Sequence, residues 1–172
     1  MNSFILFAQE EEIEKLDPSV EFTYYKYTDN SKALKTRVMA RNDEGWYPII
    51  NFKVQFYSVT DTAEVLLAEV STNNEGIAKL MIHQDYQLPM DTAGIFKFIA
   101  RTSETELYES AEEEIEKKDL FISIELDEID SVRTILISAK RKKSDGTEVM
   151  ISEEDINIYV PRMFSDLKMA EG

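Results

Sequence analysis

The side chains able to do chemistry are few, and their spacing is uninformative for catalysis. His83 is the single histidine, next to Gln84 and Asp85 at the end of an apolar run. Without companion ligands or a nucleophile beside it, it reads as a surface strand histidine. There is no cysteine, which excludes disulfides, iron–sulfur clusters, thiolate zinc sites and thiol catalysis. No Gly-x-Ser-x-Gly elbow and no glycine-rich phosphate loop occurs. Carboxylates are abundant: Asp127, Glu128 and Asp130 cluster in one expected loop, and Glu153, Glu154 and Asp155 in another. Hard oxygen ligands of this type could hold calcium, but no EF-hand spacing is present. Solvated loop charge is the better reading, and a carboxylate-pair hydrolase would need a cleft. Tyr24, Tyr25 and Tyr27 crowd one segment, with Trp46, Tyr47 and Pro48 in another. Exposed, they would form a stacking platform for a surface glycan or another protein domain; buried, they belong to the core. No catalytic, cofactor-binding or metal-binding residue is assigned, and the chain is expected not to be an enzyme.

Composition narrows the partners. The 172 residues carry 34 Asp and Glu against 19 Lys and Arg, a formal net charge of −15. That balance argues against nucleic acid, which needs a basic footprint, and against anionic membrane surfaces. No apolar run reaches the eighteen or so residues of a spanning helix. Apolar residues make up 43% of the chain, enough for a packed core. Phe4–Ala8 followed by Gln9 and an acidic block resembles the tail of a bacterial export signal without its basic beginning; a short N-terminal strand is the competing reading. The expected location is therefore periplasm or cell surface.

The elements that must position these residues are strands. Leu34, Thr36, Val38 and Ala40 point one way and Lys35, Arg37 and Arg41 the other; Phe52, Val54 and Phe56, then Ala78, Leu80 and Ile82, then Phe96, Phe98 and Ala100 alternate in the same way with a mixed face. Period-two alternation with one apolar face predicts sheets that meet across a core. Asn42–Gly45, Ser71–Gly76, Asp91–Gly94 and Lys143–Gly146 supply turns. Ala111–Lys118 is the best helix candidate, but Ala111, Glu113 and Ile115 fit a charged edge strand better.

The chain also repeats itself. Val54–Tyr57 aligns with Ile156–Tyr159 at an offset of 102, which continues through Val65 with Leu167 and Glu69 with Glu171. Leu34–Gly45 aligns with Ile135–Gly146 at an offset of 101, and Val20–Tyr27 with Phe121–Glu128. The expected organisation is a leader over 1–17, a complete module over 18–117 and the first half of a second over 118–172. Counterparts of the later strands are missing, so the chain reads as a fragment whose second copy cannot close a core by itself.

Glu64–Ile82, with Thr72, Asn73 and Gly76 at its turn, resembles a recurring element of bacterial Ig-like domains: invasin-type repeats and carboxypeptidase-regulatory or transthyretin-like modules. Gly94–Ala100 resembles their later strand. The resemblance implies an all-β, antiparallel Ig-like β-sandwich of seven or eight strands in tandem. It further implies a structural or spacer module of an exported cell-envelope protein. A carbohydrate- or protein-binding adhesion module, or an accessory domain of a larger enzyme, are the alternatives.

Overall fold

Strand β2 (Lys32–Asn42) shows how the alternation becomes a core: Leu34, Thr36, Val38 and Ala40 are completely buried, while Arg37 and Arg41 face solvent. The computed structural model describes residues 15–60, 62–129, 132–143, 145–151, 157–160 and 167–171. Among them there is no helix. The chain divides into two compact units, one comprising Met1–Asp91 and Ile95–Lys117, the other Thr92–Gly94 and Lys118–Gly172.

In the first unit, β1 (Ser19–Lys26) pairs antiparallel with β2 along its whole length. β3 (Gly45–Pro48) and β6 (Ile77–Ile82) share the other edge of β2. The second sheet has the order β5 (Glu64–Ser71), β4 (Lys53–Val59), β7 (Ile95–Thr102), β8 (Glu112–Lys118). Inward residues of both sheets make one core: Leu34 and Val38 from β2, Val54 and Phe56 from β4, Phe96 and Phe98 from β7. Aromatic rings span it, Phe22 with Phe56 at 5.8 Å and Tyr24 with Phe98 at 5.6 Å between centroids. This is an antiparallel β-sandwich, as the alternation and turn spacing require. Glu112–Lys118 is the edge strand and not a helix. Its Glu112 and Glu114 pair with Arg101 and Lys97 on the neighbouring strand, while Ile115 packs toward the core.

The crossover from the second sheet to the first is tied by side chains. Thr72 is buried; its Oγ1 accepts from Phe52 N at 2.9 Å and donates to the Ile49 carbonyl at 2.6 Å. Asn73 Oδ1 accepts from Glu75 N and Ile77 N, and Val38 N donates to the Gly76 carbonyl at 2.8 Å. Leu16 N donates to Leu107 O and Leu16 O accepts from Glu109 N, both at 3.0 Å, which ties Leu16 to the irregular segment before β8.

Two buried hydroxyls are left over. Thr36 Oγ1 and Ser58 Oγ have no hydrogen-bond partner. A buried, unpaired hydroxyl costs free energy that an isosteric apolar group does not. Thr36→Val is therefore expected to raise the stability of the first unit by about 1 kcal/mol, read as a higher urea midpoint with unchanged slope.

In the second unit, β9 (Leu120–Ile129), β10 (Val132–Lys142) and β11 (Glu148–Met150) form an antiparallel sheet in the order β11-β10-β9. β12 (Asn157–Val160) and β13 (Leu167–Glu171) form a separate antiparallel pair.

Candidate functional site

His83 follows directly on β6 and is exposed, its Nδ1 3.2 Å from Asp85 Oδ2. This is a local pair on an exposed turn. Asp127 and Glu128 lie on strand β9 rather than in a loop, opposite Thr134 and Arg133. Successive strand residues point to opposite faces, so these two carboxylates cannot converge on one cation. Asp130, Glu153, Glu154 and Asp155 lie outside the described residues. Among the described residues no group of three or more His, Asp or Glu is placed to hold a metal ion.

The aromatic residues do not gather either. Tyr24 turns inward against Phe96 and Phe98. Tyr25 stands opposite Ala33 and Trp46 opposite Arg41, both on the outer face but separated by roughly 26 Å along the strand. The sequence places these side chains in two neighbouring segments; strand pairing carries them to opposite ends of one sheet. Tyr47 turns inward and hydrogen-bonds Tyr108, whose ring packs edge-on against Phe52 at 5.5 Å.

Sequence reasoning missed the Tyr47–Tyr108 pair, because Tyr108 sits in an irregular segment with no alternation to assign its direction. Burial pushes the Tyr108 hydroxyl up to about 12, and the Tyr47 hydrogen bond adds to this. The folded chain then keeps a proton between about pH 10 and 12 that the unfolded chain has lost. The associated stability is fully present below pH 10 and lost as pH rises to about 12. Tyr108→Phe should flatten the alkaline fall in stability over that window by about 1–2 kcal/mol, allowing for partial solvent access; urea titrations at pH 9 and 11.5 measure it.

A crevice at one end of the second sheet is lined by Val59, Thr60, Met90, Asp91, Ile95, Lys97 and Glu116. Lys97 Nζ is 2.7 Å from Glu114, which raises its pKa. A protonated amine is the wrong state for a nucleophile, and Asp91 Oδ1 is engaged by Ile95 N at 2.8 Å. Nearby, the Arg101 guanidinium bonds Glu112 and Glu64 and lies over the Tyr57 ring at 4.9 Å. Each of these groups holds an outer sheet face together, and none is aimed at a reacting atom.

No helix among the described residues is long and apolar enough to cross a membrane. Comparison with known proteins finds no matching family model, no matching curated protein and no matching solved structure.

Proposed function

We propose that this chain is a non-catalytic structural module of an exported bacterial cell-envelope protein, built as an Ig-like sandwich followed by a second unit on the same strand plan. The observation that carries the reading is the strand register. In the first unit Val20 pairs Val38 and Tyr24 pairs Leu34; in the second Ile122 pairs Ala139 and Leu126 pairs Ile135. Ala40 with Tyr47 is matched by Arg141 with Val149. Gln55 with Glu69 is matched by Asn157 with Glu171, and both hairpins shift register at the same step, Phe56/Tyr57 and Ile158/Tyr159. Alternation alone produces strands; it does not place a bulge at one corresponding step in two hairpins. The register also refines the alignment of β1, whose Val20 corresponds to Ile122 rather than to Phe121.

A sandwich followed by a second unit on the same strand plan suits a load-bearing or spacing role. Stretching single chains tests it. The first unit is expected to yield in one cooperative step that releases roughly 100 residues, on the order of 300 Å of extended chain. Gradual yielding without a step would remove the mechanical role. Fractionating the native cells tests the location, and recovery of the protein in the cytosol would overturn the exported reading.

A further inference from the structure

The β9–β10–β11 sheet has two unlike faces. On one, Ser123 and Ser138 hydroxyls hydrogen-bond at 2.6 Å, Lys140 pairs with Glu148, and Lys142 lies over the Phe121 ring. On the other, strand alternation and register set Ile122, Ile124 and Leu126 beside Ile135, Ile137 and Ala139. Most of the apolar face is open: Ile122 is 62% exposed, Ile124 65%, Leu126 81% and Ile135 50%, while Ala139 at its far end is buried. The residues with the matching pairings in the first unit are packed: Val20, Phe22 and Tyr24 lie against the core, and Leu34 and Val38 are fully buried.

We propose that a second copy of this chain covers that face, so that two such sheets pack together into one sandwich. Three observations favour this occupant. The first is area. The open side chains leave on the order of 500 Å² per copy, so a pair buries roughly 1,000–1,200 Å², the lower bound of a specific interface. The second is shape: both partners present the same alternating sheet face, as an isologous two-fold contact requires, and apolar sheet faces pack about 10 Å apart. The third is charge. Glu128 and Arg133 are cross-strand partners at one end of the apolar face. A two-fold axis running between β9 and β10 along the ribbon sets β9 of each copy over β10 of the other. Leu126 then meets the partner's Ile135, and Glu128 meets the partner's Arg133, twice over. The inference stands apart from the module reading, which its failure would leave untouched.

Sedimentation equilibrium of the full chain from about 1 to 200 μM tests it, with a dissociation constant near the micromolar range expected for so small an interface. Leu126→Asp is expected to weaken association at least tenfold, since it buries a charge in the contact. Ser123→Asp, on the polar face, should leave it within about twofold. Glu128→Arg and Arg133→Glu should each weaken self-association roughly tenfold by like-charge repulsion. An equal mixture of those two variants should recover the wild-type value, because each repels itself and attracts the other. Recovery by mixing cannot come from an effect inside one chain, nor from a variant that fails to fold. A chain that stays monomeric to 200 μM would overturn the proposal. So would a dimer indifferent to Leu126→Asp, or a mixture that does not recover. A monomer in which this face resists labelling would identify another segment of the same chain as the cover, and would also overturn it.

Discussion

Phe56→Ala is expected to cost the first unit about 3–5 kcal/mol, the range for deleting a large buried aromatic. Phe56 is fully buried on β4, the central region of the second sheet, where it meets Phe22 from the opposite sheet. Its neighbours Val54, Phe98 and Leu34 sit on paired strands. They cannot collapse into the space without breaking ladder hydrogen bonds, so the cavity term is retained on top of the lost transfer energy. A domain of this size has a total stability on the order of 5–15 kcal/mol, so the variant should lose about a fifth or more of it. The chain has one tryptophan, Trp46, in the first unit, so its fluorescence during urea unfolding reports that unit alone. A loss under about 1 kcal/mol would mean that the two sheets are not held together through this residue.

Gly76→Ala should be nearly as damaging, about 3 kcal/mol or more. Gly76 has a φ of +73°, and a Cβ placed there would lie 2.5 Å from the Val38 carbonyl oxygen and 3.0 Å from Pro48 Cβ. The left-handed conformation costs an L-residue about 1–2 kcal/mol, and the contact with backbone adds to it. That backbone belongs to β2, the strand every other member of its sheet pairs with, and Gly76 O itself accepts from Val38 N. Gly45→Ala is the control: its φ is +126°, but nothing lies within 4 Å of the added carbon. It should cost only the conformational part, which at +126° is no smaller than at +73°, so a larger loss at Gly76 than at Gly45 reports the backbone contact. A loss at Gly76 under about 1 kcal/mol would contradict the close approach.

Local structure was legible along the chain. Alternation in Lys32–Asn42, Lys53–Val59, Ile77–Ile82 and Ile95–Thr102 named the strands and their inward residues correctly, because side-chain direction in a strand has a period of two whatever lies beyond it. The turn at Thr72–Gly76 was legible for a similar reason: an Asn whose side chain caps its own following backbone and a glycine at positive φ are local chemistry.

Which of these residues meet depends on non-local strand pairing. Tyr25 and Trp46 read as members of one aromatic platform, yet pairing through β2 puts them at opposite ends of a sheet. Tyr47 and Tyr108 look unrelated, yet an irregular segment brings their hydroxyls together. Asp127 and Glu128 read as a cluster until β9 ran through them and turned them to opposite faces. The same period-two pattern is packed core at Val20, Phe22 and Tyr24 and open surface at Ile122, Ile124 and Leu126. Alternation states that a strand has an apolar face; burial depends on what lies against that face, which is a property of non-local contacts and not of the strand.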